Sequence, residues 1–348
     1  MKSLLTVAIP TYNGGENLIR AIKSCKYINL PQDKFEILVV DNCSTDGSIE
    51  KVKLLQQDFP NIRIVINDKN YGRVGNWNRC IDLAKGKYLI FLFSNDEISK
   101  GYNFKKYINL LEDNNEIAII FNKAKFVYDD IETISPSFYT KKIIELNLFV
   151  NEYFYKRKCF TSFGILQQHI YRLDVIKNNN IYFDLNIDRT TDRMFIFKTI
   201  FYHKKQLIYF SDEIQCIWNF SKNRYHALTH FKVEHNDLIK IFKKSWLQEI
   251  EANSYILIMS SFSFKEVLKI HYEYFYFLHV LNRIKKFLKY KYTNTPDNFS
   301  LIIFIKFLEG MCRNYKINCF KFKIMAFLNL FKKIFRKILK IIKGKINV

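Results

Sequence analysis

Residues 4–48 read LLTVAIPTYNGGENLIRAIKSCKYINLPQDKFEILVVDNCSTDGS. The stretch opens on six residues without a charge (4–9, LLTVAI) and is closed by Pro10. Leu18, Ala21, Ile22 and Cys25 then recur at helical spacing, and a second apolar run, FEILVV at 35–40, ends at Asp41. Short continuous apolar runs joined by an amphipathic helix are the pattern of strands buried on both faces. Working outward, the same alternation predicts helices at 49–57 and 75–84 and strands at 62–66, 88–93 and 116–121. Successive βαβ units imply an α/β fold with a mostly parallel sheet flanked by helices. In such sheets ligands bind outside the carboxyl ends of the strands. Polar clusters fall at those ends here: Thr11-Tyr12-Asn13, Asp41-Asn42 and Ser94-Asn95-Asp96-Glu97.

The 348 residues are 49% hydrophobic and 17% aromatic, ample for a core, with a formal net charge of +22. Half of that excess sits in residues 310–348, which hold eleven Lys or Arg and no acid. The seven cysteines are scattered, odd in number and never spaced C-x-x-C. That argues against a disulfide framework or a zinc site and suits a reducing cytosol. The first apolar run is too short for a signal peptide, and no stretch has the ~18 apolar residues of a spanning helix.

Three segments in register carry a resemblance: VAIPTYNGGENL (7–18), VVDNCSTDGS (39–48) and NYGRVGNWNRCIDLAKGKYLIFLFSNDE (70–97). In order and spacing they resemble glycosyltransferase family 2, whose members have the GT-A fold, most closely bacterial members that build lipopolysaccharide, capsule or similar surface glycans. The resemblance implies a nucleotide-sugar donor and a glycan or lipid-linked glycan acceptor. It assigns Pro10, Thr11, Tyr12, Glu16, Asp41, Arg73, Asn78, Ser94 and Asn95 to the donor, with Tyr12 against the base and Asp41 on base or ribose. Taken alone, Tyr12 reads as an ordinary core aromatic and Asp41 as an ordinary helix cap; with the other motifs in register the donor reading is preferred. A GT-A domain over 1–235 is expected, with a donor part at 1–100 and an acceptor part at 120–235. A helical, basic region over 236–348 follows.

The family's acidic motif holds Mg²⁺ or Mn²⁺ against the diphosphate. This sequence departs from it: Phe93 and Asn95 stand where acids are usual, leaving Asp96 in register with Asn95 as a neutral ligand. Glu97 is a further acid there, and a metal-independent or inactive protein is compatible with the change. Arg73 is a candidate for the missing positive charge. On the acceptor side, YFDLNIDRTTDRMFIF (182–197) fits the family's base segment, with Asp192 as general base. Asp184 and Asp188 are the alternatives if the register moves, and an Asp there also reads as a cap for the following helix. The family's later His is replaced by the run Trp218-Asn219-Phe220-Ser221, and His226 is not assigned a role. Gln167, Gln168 and His169 are placed toward acceptor hydroxyls.

From residue 327 onward Phe331, Ile334, Phe335, Ile338, Ile341 and Ile342 form one face, with Lys332, Lys333, Arg336, Lys337, Lys340 and Lys343 on the other. A basic amphipathic helix of this kind lies on an anionic membrane surface or packs on the protein's own core. The surface reading predicts a cytoplasmic enzyme peripheral to the inner face of the cell membrane. Other classes fare worse. A sugar-nucleotide pyrophosphorylase needs a Gly-rich, Arg-containing loop after the first strand, and a dehydrogenase needs G-x-G-x-x-G there. Neither is present. A nucleic-acid binder wants a basic patch with interleaved stacking aromatics, not charge gathered in an apolar tail, so no nucleic-acid partner is expected.

Overall fold

The computed structural model describes residues 3–128, 131–135, 142–155, 164–185 and 190–220, together with Ile256 and Met259. The expected boundary near 235, His226, Asp188 and the basic helix after residue 327 lie outside the described residues.

The chain alternates as expected at first. Strand β1 (Leu5–Thr11) leads through α1 (Gly15–Ser24) to β2 (Phe35–Asp41), then α2 (Ser48–Leu55), β3 (Ile62–Ile66), α3 (Gly72–Leu83) and β4 (Tyr88–Phe91). After β5 (Glu97–Ile98) and α4 (Phe104–Asp113) come β6 (Ile117–Tyr128), β7 (Ile131–Ile134), β8 (Ile143–Glu145) and α5 (Leu146–Tyr155). The acceptor part continues with β9 (His169–Arg172), α6 (Leu173–Asn178), α7 (Thr191–Phe201) and β10 (Leu207–Phe220).

One sheet runs in the order β3-β2-β1-β4-β9-β6-β10-β5, with β7 on β6 and β8 on β10. β1 through β4 pair in parallel, as the alternation predicts. β9 then enters antiparallel between β4 and β6, β6 and β10 run parallel, and β5, β7 and β8 pair antiparallel. The sheet as a whole is therefore mixed, not mostly parallel. The short connection from β6 to β7 suits antiparallel neighbours, whereas β6 and β10 pair in parallel across α5, α6 and α7.

β1, β2 and β4 are buried along their whole length. Their side chains pack with Leu18, Ile22 and Val52 beneath them and with Phe104, Tyr107 and Leu111 of α4. Two polar knots hold the layers. The Glu36 carboxylate accepts from Thr6 Oγ1 (2.6 Å), the Lys85 N–H (2.7 Å) and Arg63 Nε (2.9 Å), while Thr6 Oγ1 also accepts from the Gly86 N–H (2.8 Å). At Gly86 a Cβ would stand 2.6 Å from the Thr6 backbone nitrogen and 2.8 Å from the Leu5 carbonyl carbon, so only glycine lets the chain enter β4 here. In the second knot, buried Arg172 donates to the carbonyls of Ile117 (2.7 Å), Leu111 (2.8 Å) and Asn114 (2.8 Å), tying β9 to β6 and α4. The described cysteines, Cys25, Cys43, Cys80 and Cys216, are all free thiols.

Candidate active site

The carboxyl ends of β1 and β2 and the segment before α3 are laced together. Asn13, at φ 49°, accepts from the Thr45 N–H through its side chain (2.8 Å) and donates its own N–H to Ser44 Oγ (2.8 Å). The Gly15 N–H donates to Asp46 (2.9 Å). The Asp41 carboxylate is buried and accepts from the Ser44 N–H (3.0 Å) and the Ser44 hydroxyl, so it shapes this loop. Pro10 is buried within β1 and Thr11 at its end, the Thr11 hydroxyl having no hydrogen-bond partner. Tyr12 stands 55% exposed at the rim, a ring available for stacking and not a core aromatic. Glu16 is exposed and pairs with Lys51 of α2, which holds its carboxyl below the ordinary carboxylate value.

A set of asparagines, unremarked in the sequence reading beyond their positions, organises the segment before α3. Asn67 Nδ2 donates to Asn42 Oδ1 (3.1 Å) and Asn76 Oδ1 (2.9 Å), and Asn42 Nδ2 donates to Asn70 Oδ1 (2.7 Å). Asn76 Nδ2 in turn donates to the Val40 carbonyl (3.0 Å). Gly72, at φ 72°, makes the turn into α3 that places Arg73 in the first turn of that helix. The Arg73 guanidinium lies 4.9 Å above the Trp77 ring centroid. Trp77 is stacked on Phe93 (5.0 Å, 20°) and meets Phe183 edge-on (5.2 Å).

Asn78, expected at the nucleotide, is employed elsewhere. Its Nδ2 donates to the Phe183 carbonyl (2.9 Å) and its Oδ1 accepts from the Phe183 N–H (2.9 Å). Both ends of the amide thus clamp the acceptor half to α3.

The loop after β4 is fixed by the end of β10. Asn95 Nδ2 donates to the Asn219 carbonyl (3.1 Å), and Asn219 Nδ2 donates back to the Asn95 carbonyl (3.1 Å) and to Glu97 (2.9 Å). Asp96 is fully buried, accepting from the Asn219 N–H (3.1 Å) and from the Gln167 side chain. Glu97 is paired with Arg20 (3.0 Å). Ser94 is half-buried beside them. The residues proposed as metal ligands therefore do not fit a divalent ion. Phe93 offers a ring, Asn95 is neutral and tied to Asn219, and both Asp96 oxygens are turned onto protein donors. Among the described residues no cluster of three or more His, Cys, Asp or Glu has ligating geometry. Hard cations need several converging oxygens with net negative charge, which this loop does not assemble.

Asp192 occupies the first turn of α7, whose cap position is Thr190, so it is not the capping residue. Its carboxylate accepts from the Arg193 N–H (2.8 Å). Burial holds its pKa above the ordinary carboxylate value, against the opposing effects of the Arg193 N–H and the charges of Arg193 and Arg73. Arg73, from the donor half, therefore lies within electrostatic reach of Asp192, from the acceptor half. Asp184 offers its N–H to Thr191 Oγ1 (2.8 Å), continuing the Asn78–Phe183 clamp into α7.

Gln167, Gln168 and His169 do not face acceptor hydroxyls. All three are buried. Gln167 serves Asp96, and Gln168 accepts from the Ile165 N–H (2.8 Å) and donates to the Asn122 carbonyl (3.1 Å).

A family model described as Glycosyl transferase family 2 matches residues 6–178. Over those residues the chain is a family 2 glycosyltransferase. Among curated relatives, it is 24% identical over 207 residues to the poly(ribitol-phosphate) beta-glucosyltransferase of Bacillus spizizenii, covering 58% of this chain and 30% of that protein. It is 25% identical over 194 residues to the poly(ribitol-phosphate) beta-N-acetylglucosaminyltransferase TarS of Staphylococcus aureus, covering 56% of this chain and 32% of the relative. The chain thus matches under a third of the length of these two family members. The crystal structure of S. aureus TarS 1–349 in complex with UDP-GlcNAc superposes with a TM-score of 0.62 at 18% identity, covering 88% of this chain and 81% of that one. That likeness establishes the GT-A-like fold for this family 2 chain.

Proposed function

We propose that the protein is an inverting glycosyltransferase that moves a sugar from a nucleotide-sugar donor to a hydroxyl of a glycan or lipid-linked glycan in surface polysaccharide synthesis. What supports this reading is the family 2 match over residues 6–178, together with Asp192 in the first turn of α7, a carboxylate whose pKa burial raises and which lies within electrostatic reach of Arg73. A general base works best when its pKa approaches the working pH. Asp192 takes the proton of the acceptor hydroxyl as its oxygen attacks the anomeric carbon. The bond to the nucleotide diphosphate breaks on the opposite face, so the anomeric configuration inverts. Tyr12 stacks on the base, and the β1 and β2 loops, shaped by Asp41, hold the nucleoside. No step of this scheme passes through Asp96 or Asn95.

The family assignment and the poly(ribitol-phosphate) transferases named among its relatives support a surface-glycan acceptor. The UDP-GlcNAc in the TarS structure makes UDP-sugars the first donors to test. The experiment is transfer from a panel of UDP-, GDP- and CDP-sugars, followed by Asp192→Asn with the active donor. The variant is expected to bind the nucleotide as the parent does and to lose most turnover; unchanged turnover puts the base elsewhere.

We place the enzyme in the cytoplasm at the inner face of the membrane, held by the basic amphipathic sequence after residue 327. Among the described residues no helix is long and apolar enough to cross a membrane. Removing residues 320–348 is expected to abolish co-sedimentation with anionic vesicles while transfer to a soluble acceptor persists; continued pelleting with lipid refutes the anchor.

A further inference from the structure

Resting on the donor reading above, we propose that the stack of Arg73 on Trp77 on Phe93 forms a metal-free diphosphate subsite, in which Arg73 supplies the positive charge for the departing nucleotide. Three observations lead there.

The first is what fills the register of the usual acids. Phe93 contributes a ring held flat against Trp77 at 5.0 Å, and Asn95 is locked reciprocally to Asn219. Asp96 is buried and satisfied from both sides. Turning Asp96 outward would strand the Gln167 amide and the Asn219 N–H inside the protein, a cost that opposes any such rearrangement.

The second is the demand for charge. A departing nucleotide diphosphate accumulates negative charge as the glycosidic bond breaks, and a site accelerates that step by holding positive charge there in advance. Among the described residues the loop after β4 offers a neutral amide and an inward-facing acid, and a side-chain cation answers that demand.

The third is how Arg73 is held. It is exposed on the first turn of α3, with its guanidinium face 4.9 Å over Trp77. A guanidinium resting on an aromatic face is oriented by the ring while its N–H donors project from its rim, the geometry suited to phosphate oxygens. Trp77 cannot swing away, being packed between Phe93 and Phe183. The aromatic pair thus serves as a rigid seat for the cation, and that gives Phe93 a reason to stand where an acid is usual.

The test is equilibrium binding of UDP, GDP, CDP and ADP, and of the matching nucleosides, to the full chain in excess EDTA and in Mn²⁺. The best nucleoside diphosphate is expected to bind equally in both. Arg73→Gln is expected to weaken it about tenfold, the loss of one charge-assisted contact, while leaving the nucleoside unaffected. Arg73→Lys is expected to recover part of the loss, with nucleoside binding at the parent's level in both variants as the control for folding. Loss of diphosphate binding in EDTA overturns the proposal, as does an Arg73→Gln protein that binds as the parent does. Failure of every nucleoside diphosphate to bind the parent in either condition overturns the donor reading itself, and this inference with it.

Discussion

Asn78→Ala separates a positioning residue from a nucleotide contact. The amide makes two hydrogen bonds of 2.9 Å to the backbone of Phe183, a residue only 2% exposed and stacked on Phe195 at 4.1 Å. Truncation leaves one N–H and one C=O without partners. A buried group so stranded costs about 1–3 kcal/mol, so the pair should cost roughly 2–6 kcal/mol. For a domain of this size each kcal/mol lowers Tm by about 2–4 °C, a fall of at least roughly 4 °C. Urea and thermal denaturation measure it directly. Because the clamp continues through Asp184 and Thr191 to α7, kcat should fall as Asp192 loses its setting, while affinity for the nucleoside diphosphate stays the same. A variant that melts with the parent but binds nucleotide more weakly would refute this account and return Asn78 to the donor site.

Other substitutions probe the scaffold and the base. Arg172→Met strands three carbonyls around a buried position and, at about 1–3 kcal/mol for each stranded group, should cost about 3 kcal/mol or more, read as a lower urea midpoint; a cost under about 1 kcal/mol would mean water replaces the guanidinium. Gly86→Ala forces a Cβ against the β1 backbone, which cannot yield as a side chain can, and should cost about 3 kcal/mol or prevent folding. For Asp192 the raised pKa gives the sign of two effects. The acid limb of the kcat profile should lie above the ordinary carboxylate value, and its disappearance in Asp192→Glu or its persistence in Asp192→Asn would exclude this group. Since the folded protein holds that proton more tightly than the unfolded chain, ionising it removes stability as pH rises between the two pKa values. Asp192→Asn should therefore match the parent at low pH and melt no lower, or higher, at neutral pH.

The first hundred residues were legible because each strand is a short apolar run and each helix keeps its period, signals that survive without tertiary information. β3 begins and ends where the pattern puts it, and β1, β2 and β4 differ from it by a residue or two. The second half was less so. β9 spans four residues and β5 two, too short for any periodicity, and β10 conceals its role in a 14-residue run whose last turn of polarity, Asn219, holds the loop after β4 from 122 residues away in sequence. Of the expected site, the positions at the strand ends were visible, but not the direction in which each side chain points. Asp96 and Asn78 have the right type at the right place and spend their hydrogen bonds inside the fold. Phe93 looked like a loss in one dimension; only with Trp77 across from it and Arg73 above does it become part of a seat.

The Glu36 knot carries a consequence for how such chains diverge. One carboxylate answers Thr6, Lys85 and Arg63 together, with Gly86 closing the circle through the same threonine. None of these positions can drift alone without exposing a partner to an unmet bond, so descendants of this sequence should change there in concert or hardly at all, while the exposed turns nearby vary freely.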